Sequence, residues 1–333
     1  YMAALFAEIG GRAKDYSDRT VTSIFIGGGT PSLLSGEQIG QLMDRIREQF
    51  AMAQDAEITM EVNPGTASAE KLRNFYTAGI NRLSIGMQSA QAEELKNLGR
   101  IHDFEGFCQV YREAVEAGFT NINVDIMSGL PGQTLASYRD TLEKVLHLEP
   151  MPQHISAYSL IVEEGTPFAA MAERGELPLP EEETERAMYE ETIEVLAKYG
   201  FHRYEISNYA RDGYECRHNV GYWIRRDYLG FGIGAASLID NVRFQNEKSL
   251  GAYLAHPLES REEEQTLTVQ DRMEETMFLG LRLTRGVSCV DFAEQYGRTV
   301  EEVYGEVIAR NVADGLLTVT ERKENQKLSL IHI

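Results

Sequence analysis

Three consecutive glycines, Gly27-Gly28-Gly29, followed by Thr30-Pro31-Ser32, are the stretch best suited to admit a ligand. Three missing Cβ atoms let the chain turn sharply and let a bound molecule approach bare peptide groups. Further along, polar residues recur where apolar runs stop: Glu61, Gln88, Asp125 and Ser159, together with Thr30 itself. The two carboxylates suit ligand amines and ribose hydroxyls. Each residue alone could be a helix cap or a loop hydrogen bond. Five of them on successive segments, one beside a triple glycine, point to a shared pocket. The cysteines carry no such pattern. Cys108, Cys216 and Cys289 lie far apart and form neither a C-x-x-C pair nor a disulfide framework, which favours a reducing cytoplasm.

The elements that position these residues follow from the spacing. Ser23-Ile24-Phe25-Ile26 is short, apolar and bounded by glycine, the pattern of a strand covered on both faces. The same unit returns as Ala56–Val62 ended by Asn63-Pro64-Gly65-Thr66, as Arg82–Met87 ended by Gln88-Ser89, as Ile122–Met127 ended by Ser128–Gly132, and as His154–Leu160. Amphipathic helices are expected between them, over Glu37–Phe50, Ser68–Ala78, Ala92–Leu98, Phe104–Ala117 and Leu135–Leu148, with another over Met2–Lys14. Strand, turn and helix repeating about every 25 to 35 residues is a βαβ array. In a parallel barrel the ends of such strands share one face, the face that carries function.

Beyond Ser159 the pattern changes. Glu163–Pro180 reads as an extended loop, Glu181–Lys198 as a long amphipathic helix and Phe201–Tyr209 as a strand. Asp227–Ser237, with alternating Gly230, Gly232 and Gly234, reads as a glycine-dense strand end. A boundary is expected near Glu259–Thr268, dividing residues 1–258 from 268–333. After it, Asp271–Leu283, Cys289–Tyr296 and Val300–Asp314 read as helices, with a hairpin from 315–319 and 328–330: the outline of a winged helix. Winged helices usually bind DNA. Here the chain of 333 residues has a net charge of −20, which repels phosphate backbones, and a packing role fits better. The chain is 43% hydrophobic, enough for a large core. No apolar run approaches the roughly 20 residues of a spanning helix, so no transmembrane segment is expected.

The ordered set SIFIGGGTPSLL, EVNPGT, NRLSIGMQS with LGRIHD, NINVDIMSGLPGQT, ISAYSLIVEEGTPF, YEISNYA and CRHNVGYW resembles the HemN/HemW family of radical S-adenosylmethionine (SAM) proteins over nearly the whole chain. The resemblance implies an α/β fold, a partial (βα)6 TIM-like barrel lacking its first strand here, with a C-terminal helical, winged-helix-like domain. It implies SAM, a [4Fe–4S] cluster and haem as cofactors. Matched by motif, Gly28, Gly29 and Thr30 would touch the methionine end of SAM and Glu61 would contact SAM. Gln88, Arg100 and Asp125 match residues lining a second SAM position in the oxidase, while Ser159 and Ala236 fall at further contact positions.

YEISNYA with CRHN..YW is more similar to the haem-chaperone branch, which implies binding of haem and its delivery to acceptor proteins. The alternative is the oxidase branch, which decarboxylates coproporphyrinogen III oxidatively. A third reading is a barrel without metal chemistry. His218 is the candidate haem ligand, its other reading being a histidine hydrogen-bonded in a structured loop. Two departures stand out. The family's C-x-x-x-C-x-x-C motif is absent; it is expected just ahead of Tyr1, and the chain as it stands is expected to be inactive in radical chemistry. Ala236 stands where many relatives carry histidine.

Overall fold

The computed structural model describes residues 1–259, 261–322 and 327–332. Ser260, inside the expected boundary, and Ile333, the end of the expected C-terminal domain, lie outside them. The chain opens with α1 (Met2–Arg12), then β1 (Thr20–Ile26), α2 (Gly36–Gln49), β2 (Ala51–Val62), α3 (Ala69–Thr77), β3 (Arg82–Gln88), α4 (Ala92–Asn97), α5 (Phe104–Glu116), β4 (Ile122–Ser128), α6 (Leu135–Leu146) and β5 (His154–Ser159). β1 to β5 run parallel in sequence order, and the sheet ends with two short antiparallel strands, β7 (Asn208–Ala210) on β5 and β6 (His202–Arg203) on β7. This is the curled, parallel-rich partial barrel the motifs implied. Among the described residues β1 pairs only with β2, which leaves it at the sheet edge.

Period-two alternation builds the two faces. Ile58, Met60 and Val62 of β2, Leu83, Ile85 and Met87 of β3, and Ile122, Val124 and Ile126 of β4 pack into one core under the helices. The intervening residues, Thr59, Glu61, Ser84, Gln88, Asn123 and Asp125, therefore face the concave side. Helix starts are set by side-chain caps. Ser35 and Gln38 form a capping box on α2, and Thr134 and Ser137 form another on α6.

The remaining elements are α7 (Pro167–Glu173), α8 (Glu182–Lys198), α9 (Arg217–Trp223), β8 (Ala236–Ile239), β9 (Val242–Asn246), α10 (Leu250–Ala255), β10 (Arg261–Thr266), α11 (Val269–Gly280), α12 (Cys289–Tyr296), α13 (Val300–Ala313), β11 (Leu317–Arg322) and β12 (Lys327–His332). Four expectations need correction. The loop over Glu163–Pro180 contains α7, started by Pro167 at its first position and by the Thr166 hydroxyl, which accepts from Ala169 N–H. The strand over Phe201–Tyr209 is split into β6 and β7, because Glu205 turns inward and accepts from Ser207 N–H and Asn208 Nδ2. The glycines of Asp227–Ser237 precede β8 rather than end a strand. Finally, part of the expected boundary is a strand: β10 pairs antiparallel with β9, making a three-stranded sheet in the order β10-β9-β8.

The three C-terminal helices form as expected around Met273, Phe292 and Val300, and β11 and β12 pair as a hairpin. They attach to the barrel through Thr284 N–H, which donates to Tyr204 O at 3.0 Å, and through a buried Arg225–Glu275 ion pair at 2.8 Å.

Candidate SAM-binding cavity

At the carboxyl ends of β1 to β5 the concave face encloses a cavity of about 320 Å³. Gly29, Thr30, Glu61, Gln88, Arg100 and Asp125 all line it. The glycine turn has a steric reason at Gly27, where a Cβ would stand 2.7 Å from the Phe25 ring and 2.9 Å from the Glu61 carboxyl. Gly28 adopts φ +87°, a conformation natural to glycine, and its N–H donates to Glu61 Oε2 at 3.2 Å. Gln88 also has positive φ, +67°, beside the register shift between β3 and β4. A non-glycine residue in that region is held at a cost of about 1–3 kcal/mol, and such strain collects at binding sites.

The electrostatics follow from burial. Asp125 accepts from Asn123 Nδ2 at 2.7 Å, from Ser84 Oγ at 3.1 Å and from the Tyr158 hydroxyl at 3.4 Å. Desolvation nevertheless raises its pKa, against the pull of those donors and of Arg82. Glu61 is also raised, by burial and then by the nearby Asp125 charge. Arg100 is lowered by burial, with Asp125 acting in the opposite direction. Arg82, 2% exposed, reaches Thr59 Oγ1 at 3.5 Å, while its Nε has no hydrogen-bond partner among the described residues. The cavity thus offers two strained carboxylates, two guanidiniums and bare glycine amides, a set matched to a ligand with both positive and negative groups.

The other expected site residues fall elsewhere. Gly28, His218 and Ala236 line a separate groove of about 1200 Å³ along the outer edge of β1, which Gly29 and Thr30 also border. Ser159 borders neither, and its hydroxyl lies 3.2 Å from Ser128 Oγ. Sequence reasoning missed Arg82, Ser84, Asn123, Ser156, Tyr158 and Asn219, which also line the cavity. Except for Asn219, on α9, they sit two residues apart on their strands, so polar alternation along β3 to β5 was the available signal.

Comparison with known proteins shows the family. Residues 4–145 match the Radical SAM superfamily and residues 267–323 the HemN C-terminal domain. The chain is 39% identical to "Heme chaperone HemW" of Bacillus subtilis, covering 96% of this chain and 85% of that protein, and 37% identical to "Heme chaperone HemW" of Escherichia coli, covering 90% and 78%. The solved structure of coproporphyrinogen III oxidase (HemN) from Escherichia coli superposes with a TM-score of 0.84 at 27% identity, covering 99% of this chain and 79% of that one. The chain belongs to the HemN/HemW family of radical SAM proteins.

That fold brings SAM and a [4Fe–4S] cluster. The cavity fits SAM: the orphaned Arg82 Nε suits a carboxylate, Glu61 and Asp125 suit its cationic groups, and the glycine turn leaves room for close approach. The cluster finds no fit among the described residues. Cys216 is buried with its pKa pushed up to about 11, chiefly by desolvation, and among the described residues no group of three His, Cys, Asp or Glu can hold a metal. For haem, His218 is the residue singled out, and both its ring nitrogens are engaged. Nδ1 lies 3.2 Å from Ser23 Oγ, Nε2 lies 3.1 Å from the Tyr222 hydroxyl, and the ring stacks on Phe25 at 5.1 Å. Burial lowers its pKa to about 4, leaving it neutral near pH 7. Iron ligation therefore requires one of these bonds to open.

Proposed function

We propose that this chain is a haem chaperone of the HemW type, working in the cytoplasm, that binds haem, uses SAM at the strand-end cavity and delivers haem to acceptor proteins. The observation that carries the reading is the 39% identity to a HemW protein over 96% of the chain, against 27% to the oxidase structure. Bound SAM would supply the adenosyl group and the sulfonium charge. Glu61 would hold a cationic group while its own carboxylate is fixed by Gly28 N–H, and Arg82 would receive the carboxylate. Gln88, Arg100 and Asp125 would complete the wall, Gly29 and Thr30 the roof. Ala236, in the neighbouring groove, and Ser159, which borders neither, have no place in this wall.

For haem, His218 would be the ligand, freed when the Tyr222 side chain swings away from Nε2. An anaerobic haem titration followed by absorbance tests it, with transfer to an apo-haem protein as second readout. Wild type should bind saturably, His218→Ala should bind about tenfold more weakly or worse, and Tyr222→Phe, which frees Nε2, should bind at least as well as wild type. Equal binding by His218→Ala would remove the ligand assignment. The oxidase reading rests on the shared fold, a TM-score of 0.84 over 99% of the chain. Formation of protoporphyrinogen from coproporphyrinogen III by the cluster-loaded protein, without haem transfer, would establish it instead.

A further inference from the structure

From the cavity wall inward to His154 and Tyr204 runs a buried polar chain that ligand binding alone leaves unexplained. Asn123, 2% exposed, is its hub. Its amide nitrogen donates to Asp125 Oδ1 and to Ser84 Oγ, both at 2.7 Å. Its carbonyl oxygen faces His154 Nδ1 at 2.6 Å and lies 3.1 Å from Ser156 Oγ, whose nearer acceptor is Asn208 Oδ1 at 2.7 Å. His154 is fully buried, and its Nε2 lies 2.9 Å from the Tyr204 hydroxyl. That hydroxyl also accepts Cys216 N–H at 3.3 Å, which leaves its single proton available to Nε2.

One consistent set of directions results with Asn123 Nδ2 turned to the Asp125 carboxylate. With Nε2 accepting, a neutral ring carries its proton on Nδ1 and donates it to Asn123 Oδ1. Burial and the Arg82 charge push the His154 pKa well below its ordinary value, which keeps the ring neutral. Asn123 is thereby fixed with its NH2 toward Asp125. In that orientation Asp125 meets only donors, and its charged form is favoured. A flipped amide would present an oxygen to Asp125 and favour the protonated acid.

We infer that His154, acting through Asn123, is the positioning residue that holds Asp125 ionised and ready to accept a cationic ligand group. The consequence for SAM rests on the reading of the cavity proposed above, whereas the ionisation of Asp125 can be measured without any ligand. The charged and titratable groups facing Asp125 are Glu61 from β2, Arg82 from β3, Arg100 after α4, and Tyr158 and His154 from β5, so the test must isolate one carboxyl among them.

The experiment is a carboxyl 13C NMR titration of protein labelled at aspartate, with the Asp125 signal assigned by its loss in Asp125→Asn, and SAM affinity measured calorimetrically alongside. His154→Asn places an amide donor near the Nδ1 position, while His154→Gln places it toward Tyr204. The midpoint of Asp125 should rise by about one pH unit in His154→Gln and stay near wild type in His154→Asn. An unmoved midpoint in folded His154→Gln overturns the inference. Should that variant fail to fold, as judged by near-ultraviolet circular dichroism, Tyr204→Phe carries the test: losing the hydroxyl frees the other tautomer, and a smaller upward shift is expected, an unchanged midpoint being contrary. If the midpoints move as expected but wild type binds no SAM, the reading of the cavity falls and the relay stands.

Discussion

Glu61 and Asp125 are held where an isolated acid would not choose to be. Both have folded pKa values raised by burial, so in the folded state they take up protons more readily than in the unfolded chain. The linkage sign follows: stability is lost as pH rises from their ordinary range through the raised values, and the charge at neutral pH works against folding. Asp125→Asn should therefore raise the melting temperature near pH 7 by about 2 °C while weakening SAM binding, checked by calorimetry on the same samples. His218 acts oppositely. Its folded pKa of about 4 lies below the ordinary 6.5, so the unfolded chain binds the proton first. Stability should fall as pH drops through that window, and His218→Phe should flatten this limb in a urea-denaturation series run from pH 7 to 4. These carboxylates were legible in the sequence because each follows an apolar run. Arg82, Asn123 and Tyr158 were not, because a polar residue inside a strand looks like any surface position until curvature turns that face inward.

At the scale of an element, α9 is the helix whose N-terminus is capped from a distant strand. Its N-terminus has no cap from its own Cys216; instead Glu57, on β2, accepts from Arg217 N–H and His218 N–H, both at 3.0 Å, and lies 3.5 Å from Cys216 Sγ. A carboxylate at a helix N-terminus satisfies orphan donors and favours the dipole. Glu57→Ala should destabilise the protein by about 2 kcal/mol in denaturant melts and shift Trp223 emission to the red, whereas unchanged emission would show that α9 is held by other contacts. This helix was not legible in the CRHNVGYW motif, because the carboxylate that caps it lies 160 residues away. By contrast, α2, α3, α5 and α6 carry their caps locally, and their expected bounds lie within a few residues of those observed.

For the whole molecule, the C-terminal helices are fastened by charge as well as by the packing of Leu283 against Tyr204, Val220 and Trp223. Glu275 bridges Arg225 and Arg243, each at 2.8 Å, with Arg225 only 4% exposed, and Arg282 stacks over Trp223 at 4.2 Å. Removing the shared carboxylate strands a buried cation, so Glu275→Ala should cost about 3 kcal/mol and speed proteolysis near residues 258–268; an unchanged cleavage rate would mean the fastening lies elsewhere. The division of the chain remains a proposal, 1–258 and 268–333, tied across by β10.

The central claim is that the strand-end cavity receives SAM through its paired acids, and calorimetric titration of SAM into wild type, Glu61→Gln and Asp125→Asn tests it most directly. Saturable binding that weakens about tenfold in each variant, while both remain folded, is the predicted result. Binding that is indifferent to both substitutions would contradict it.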